Sequence, residues 1–172
     1  MNIRNFTPLE KVNPSKKFSL TGFIIKIIST FFYCGYLPFI PGTFASMVGI
    51  FLYYLIKDSI FIYTLFTLIF IILGFLITGK AEKIFNKKDA RCIVIDEIAG
   101  MLVALMFIPY SLKLVIMGFV LFRILDALKP YPAGRLQELK GSIGIIADDI
   151  LAGLYTNIIL QLVLRFASFR TS

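Results

Sequence analysis

The stretch from Ile60 to Thr78 runs nineteen residues without one charged side chain. As a helix it measures about 28 Å, close to the thickness of a bilayer's hydrocarbon core. The rest of the chain says where such a segment belongs. Of its 172 residues 58% are apolar, and the mean hydropathy is +0.86, more apolar than an ordinary soluble domain. Lipid is the solvent for most of this chain.

Shorter apolar runs flank that span: Phe44–Ile56, Ile98–Ile108, Leu112–Leu128 and Ile150–Phe166. Residues 19–34 are helical in pattern but carry Lys26, Ser29 and Thr30, which suits an interfacial helix. The expected fold is all-α, a polytopic membrane helical bundle of about five spanning or hairpin helices after an N-terminal interfacial one. Residues 1–17, with Arg4, Lys11, Lys16 and Lys17, form a basic cytoplasmic arm, and residues 18–172 form a single membrane-embedded catalytic domain. No small-residue cleavage site follows the first apolar run, so a removed signal peptide is not expected. The runs at 44–56 and 98–108 are short for a 30 Å core, so tilt, local thinning or half-membrane hairpins must make up the difference. Tyr must supply most of any aromatic belt, because Trp is absent.

Charge selects a topology. With the first helix in the interface, the arm, the 80–91 segment and the 129–149 segment with Arg123 share one side. That side holds thirteen of the eighteen basic residues, against four on the other. By the positive-inside rule the rich side is cytoplasmic. The same bias accounts for the net charge of +8, and no basic region has the pattern of a nucleic-acid reader. Nothing in the pattern calls for an obligate protein partner.

The residue inventory narrows the chemistry. There is no histidine, which removes phosphohistidine, Ser-His-Asp and most zinc or haem chemistry. Cys34 and Cys92 are too far apart for a ligand motif and read as small apolar fillers. What remains for catalysis is carboxylates, hydroxyls, Lys, Arg, Cys or an oxygen-ligated metal.

The acids are few and gathered. Five of ten fall in three places: Asp96-Glu97 before the run at 98, Asp126 near the end of the run at 112–128, and Asp148-Asp149 before the run at 150. In the topology above all three lie at the cytoplasmic boundary. Capping explains one acid at a helix start. It does not explain two pairs, nor an acid at a helix end. Five neighbouring carboxylates repel one another, and the economical remedy is a hard divalent cation; Mg²⁺ fits best when phosphate completes its shell. Asp96, Glu97, Asp126, Asp148 and Asp149 are thus the candidate metal ligands and catalytic acids.

Cations stand beside them. Arg123 and Asp126 share a helical face, which a structural salt bridge alone would explain; with Lys129 three positions on beside the acids, Arg123 and Lys129 suit a phosphate-binding edge. Pro41-Gly42-Thr43 leads directly into a helix, where close approach and free N–H groups can hold a phosphate.

Four segments now fall into a familiar order: Gly35–Ser46 (GYLPFIPGTFAS), Ile93–Gly100 (IVIDEIAG), Phe122–Pro130 (FRILDALKP) and Gly141–Gly153 (GSIGIIADDILAG). Across about residues 33–165 the chain resembles the phosphatidylglycerophosphatase A family of bacterial inner membranes. The resemblance implies Mg²⁺-dependent removal of the terminal phosphate of phosphatidylglycerophosphate, giving phosphatidylglycerol, by a multi-pass protein whose site faces the cytoplasm. It implies roles for the same acids and cations, for the Pro41–Thr43 loop, and more weakly for Glu82. The chain departs from the family pattern at Ala45 and Ser142, where glycine is usual, and at Ala90, where proline follows the aspartate.

The mechanism expected is metal-assisted phosphoryl transfer, with Arg123 and Lys129 neutralising the phosphate and one carboxylate acting as general base or as nucleophile. A small transporter is the rival from another class, since intramembrane acids often mark ion paths. Here the acids sit at helix ends and the central span carries none. A CDP-alcohol phosphotransferase is the other rival, but its dense aspartate motif is missing.

Overall fold

The structure, a computed structural model, describes residues 19–38, 40–87, 90–137, 139 and 141–170; the basic arm expected at 1–17 lies outside them. Every regular element among the described residues is a helix: α1 (Leu20–Ser29), a 3-10 turn (Cys34–Tyr36), α2 (Pro41–Ile56), α3 (Ile60–Phe85), α4 (Ile95–Ala104), α5 (Leu112–Leu128), α6 (Ala133–Gln137) and α7 (Ser142–Arg170).

Local chemistry sets several of these ends. The Ser59 side chain accepts from the Ile62 N–H to start α3, and Asn86, in the left-handed region, stops it with its own N–H on the Glu82 carbonyl. The helix therefore runs on past Thr78, the expected end of the span. Lys80, Glu82 and Lys83 belong to its last two turns rather than to a loop. α7 likewise begins at Ser142, eight residues before the expected helix start at 150.

Among the described residues, α3 and α7 alone are both long and apolar enough to cross a bilayer unaided. α2 and α5, at 16 and 17 residues, measure about 24 and 26 Å, and the 10-residue α1 about 15 Å, too short to cross. The surfaces agree with lipid as solvent. On α3, Phe61, Leu65, Leu68, Ile72, Phe75 and Leu76 are all exposed, and α5 presents Leu112, Ile116, Val120, Ile124 and Leu128 at four-residue spacing. Water would not tolerate patches of that extent.

α4 explains how the short run at 98–108 is accommodated. It is a 10-residue helix, about 15 Å long, enclosed by α2, α3, α5 and α7. Beyond Ala104 the backbone leaves helical geometry inside the bundle, which lipid would forbid. Side chains from neighbouring helices satisfy it instead. The Tyr63 hydroxyl donates to the Leu102 carbonyl, Asn157 Nδ2 donates to Ala104 at 3.1 Å and Met106 at 2.6 Å, and the Tyr53 hydroxyl donates to Ile108 at 3.0 Å.

Close contacts fix which ends lie together. The N-termini of α2, α4 and α7 meet the C-termini of α3 and α5 at one end: the Gly79 N–H reaches Ser142 Oγ at 2.9 Å, and Lys129 pairs with Asp148. At the other end Lys57 lies 5.4 and 5.3 Å from the ring centroids of Tyr54 and Tyr110, an aromatic–cation pairing suited to an interface.

Candidate active site

The acid pair Asp96-Glu97 lies in the first turn of α4, where the dipole favours anions and the Glu97 N–H donates to Asp96 Oδ1 at 3.1 Å. α7 crosses α4 closely because both are glycine at the contact. A Cβ at Gly153 would run into the Gly100 carbonyl, and one at Gly100 would lie 2.7 Å from the Asp149 carbonyl oxygen. That crossing carries Asp149 to the acid pair. Carboxylate oxygens of Asp96, Glu97 and Asp149 all lie within 4.8 Å of one another.

Asp148 and Asp149 occupy the second turn of α7, so the helix-capping reading of this pair does not hold. Both are 5% exposed and Asp96 is 4% exposed. Buried carboxylates need cations or strong donors. Asp148 has one in Lys129. Asp149 Oδ1 and Glu97 Oε2 are buried with no hydrogen-bond partner among the described residues.

Asp126 faces the triplet from the last turn of α5, close to both Glu97 and Asp149. Arg123, one turn earlier, holds it with Nη1 2.9 Å from Oδ2. That nitrogen is close enough for an ion pair but makes no aligned hydrogen bond, so its donors stay available. Lys129 ends α5 in the left-handed region at φ 45°, a conformation that costs a non-glycine residue about 1 kcal/mol. Pro130 forbids a further helical turn, and the resulting corner supports the Lys129–Asp148 pair. Burial alone would lower the Lys129 pKa. The Asp148 hydrogen bond and the nearby Asp149 and Asp126 carboxylates outweigh it and hold the ammonium above the ordinary lysine range.

The Pro41–Thr43 turn reaches the same place. Pro41 takes the first helical position of α2, and no side chain caps that end. A methyl group on Gly42 would lie 2.5 Å from Glu97 Oε1 and 3.2 Å from Arg123 Nη1, so only glycine lets α2 approach so closely. All the residues singled out from sequence thus gather at one end of the bundle. Asp96, Glu97 and Asp149 form the inner triplet, and Asp126 and Asp148 stand outside it, each held by a cation. Glu82, in the last turn of α3, is not part of the triplet. Burial raises the pKa of the Cys34 and Cys92 thiols, which suits packing rather than nucleophilic attack.

Sequence reasoning passed over Lys87 and Arg91, which line a groove beside Pro41. They read as anonymous loop cations because no fixed spacing marks them.

A helical membrane bundle with buried acids edged by Arg and Lys has the makings of a membrane-associated lipid phosphatase. Comparison with known proteins makes the class definite. The family model for phosphatidylglycerophosphatase A matches residues 27–164, and the chain belongs to that family. It is 33% identical to the phosphatidylglycerophosphatase A of Haemophilus influenzae over 86% of this chain and 92% of the relative. It is 35% identical to that of Escherichia coli over 74% of this chain and 76% of the relative. A Bacteroides thetaiotaomicron protein, named as a candidate phosphatidylinositol-3-phosphatase, is 33% identical over 80% of this chain and 92% of its own length. No solved structure matches the chain. The chain is therefore an enzyme of the phosphatase kind, and the transporter reading falls.

Proposed function

We propose that the chain hydrolyses the terminal phosphomonoester of phosphatidylglycerophosphate, releasing phosphatidylglycerol and inorganic phosphate, at the cytoplasmic face of the bacterial inner membrane. The observation that carries this reading is the triplet Asp96, Glu97 and Asp149 facing Gly42 and Arg123. It sets Glu97 Oε2 and Asp149 Oδ1, without a hydrogen-bond partner among the described residues, beside donors suited to phosphate.

The donor set fits a hard divalent cation. Glu97 Oε2 and Asp149 Oδ1 are buried oxygens that lack a hydrogen-bond partner among the described residues, and all three triplet residues offer oxygen, which suits Mg²⁺. Bound there by Asp96, Glu97 and Asp149, Mg²⁺ would supply Lewis-acid polarisation of the phosphate and charge neutralisation. Arg123, ion-paired yet not hydrogen-bonded through Nη1, takes phosphate oxygens through its fork. The uncapped N-terminus of α2 adds backbone donors. Lys129, kept charged by Asp148, offsets charge on the transferring group. Asp126, outside the triplet, accepts a proton from the attacking water as the P–O bond to glycerol breaks. The leaving glycerol oxygen takes that proton back.

The Bacteroides relative's name makes phosphatidylinositol 3-phosphate the comparison substrate worth including. Purified protein in detergent–lipid micelles should release phosphate from phosphatidylglycerophosphate at least about tenfold faster, in kcat/KM, than from phosphatidylinositol 3-phosphate. Equal or reversed preference would contradict the substrate named here.

A further inference from the structure

Beside the acidic site lies an open groove of about 430 Å³, bounded by the 3-10 turn, the start of α2, the end of α3 and the segment leading into α4. One wall is apolar, from Tyr36, Leu37 and Phe85, and the rim carries Lys87 and Arg91. Lys26 of α1 adds a third cation, with Nζ 5.9 Å from the Phe85 ring centroid. Among the described residues none of these three cations is ion-paired, and no acidic side chain lines the groove. Pro41 forms part of the lining, and its neighbour Gly42 touches Glu97 and Arg123. One residue step along α2 therefore separates this basic groove from the acidic triplet.

We propose that the groove is a second anion subsite, which binds the phosphodiester of the lipid headgroup while the terminal monoester occupies the acidic site. The inference rests on the phosphatase reading above and extends it to specificity. Phosphatidylglycerophosphate carries two phosphates joined through a three-carbon glycerol, and the groove and the triplet offer two phosphate-binding places side by side. The apolar wall suits the first carbons of the acyl chains, and Lys87 and Arg91 supply charge-assisted contacts to the diester. A volume of this size is in the range of small-ligand sites and suits a headgroup. Phosphatidic acid, which has a monoester and no diester, engages the triplet alone. The groove thus makes the second phosphate the feature by which the enzyme tells its substrate from lipid monoesters that lack a phosphodiester, such as phosphatidic acid.

The test uses the full chain in mixed micelles of fixed surface charge. The double variant Lys87→Gln, Arg91→Gln is compared with the unmodified protein, and each single variant is kept in case the double one melts early. On phosphatidylglycerophosphate the double variant should raise KM about ten- to hundredfold, the loss expected for two charge-assisted contacts, with kcat within about twofold. On phosphatidic acid kcat/KM should stay level. Direct titration with phosphatidylglycerol, which has the diester alone, should show binding to the unmodified protein weakened about tenfold or more in the variant. A KM rise equal on both substrates would show mere attraction to a charged surface and overturn the subsite. So would unchanged KM and unchanged phosphatidylglycerol binding. If the unmodified protein releases no phosphate from phosphatidylglycerophosphate, the phosphatase reading fails, and the phosphatidylglycerol titration still judges the groove.

Discussion

Asp126 stands in the last turn of α5, where the helix dipole opposes a negative charge, and Glu97 and Asp149 add two more carboxylates beside it. Arg123 compensates only part of that. Asp126→Asn keeps the shape and removes the charge. If Asp126 moves the proton, kcat should fall on the order of a thousandfold, while the melting temperature in EDTA holds level or rises as one like charge leaves the cluster. A residue that merely pairs with Arg123 would give the reverse, a destabilised protein that turns over normally in its folded fraction. Melting temperature in chelator beside turnover in Mg²⁺ separates the two.

At the scale of elements, the site depends on how closely α4 and α7 cross. Gly153→Leu would drive a side chain into the Gly100 carbonyl and against Val103, an overpacking that costs about 2 kcal/mol. The helices must part to admit it, and Asp149 moves away from Asp96 and Glu97. Activity should then fall by more than the folded fraction does, read as kcat against melting temperature. Loss of activity strictly in step with unfolding would mean that the crossing positions nothing.

The same crossing shows what was legible in the chain beforehand. Ile60–Thr78 declared its span by length and lack of charge, and the three acidic places, by their rarity, pointed to the candidate site where the fold brings them together. What the sequence hid was contact across space. Gly100 and Gly153 looked like ordinary small residues, and only the fold shows that they bring two acids together. Helix ends were misplaced where charge and helix coexist. Lys80, Glu82 and Lys83 read as loop because they are polar, yet they continue α3 until Asn86 closes it. The stretch 129–149 hid the first turns of α7 for the same reason. The Arg123–Asp126 pair was legible as an i,i+3 spacing on one helical face, whereas the Lys129–Asp148 pair, which joins two helices, had no signal in spacing.

For the whole molecule, one end gathers the acids with Arg123 and Lys129 while the other carries Lys57 among tyrosines. On the proposed reading, the excess of basic residues on the acidic side puts that end in the cytoplasm. With Cys34 and Cys92 replaced by alanine, single cysteines at Asp58 and Ser111 should react with an impermeant thiol reagent on intact spheroplasts. A cysteine at Asn86 should react only after the membrane is opened. Labelling of position 86 from outside would separate the site from a cytoplasmic substrate.

We propose that Asp96, Glu97 and Asp149 hold the divalent cation that phosphate hydrolysis needs. That assignment is tested most directly by binding Mn²⁺, a spectroscopic stand-in for Mg²⁺, to metal-stripped protein and following the free ion by electron paramagnetic resonance, with phosphate release measured on the same samples. The unmodified protein should bind Mn²⁺ and lose all turnover in EDTA, and Mg²⁺ should restore it. Asp149→Asn should weaken Mn²⁺ binding at least about tenfold and abolish turnover, while the fold stays intact by melting temperature. Full phosphate release in chelator, or Mn²⁺ bound as tightly by Asp149→Asn as by the unmodified protein, would contradict the account.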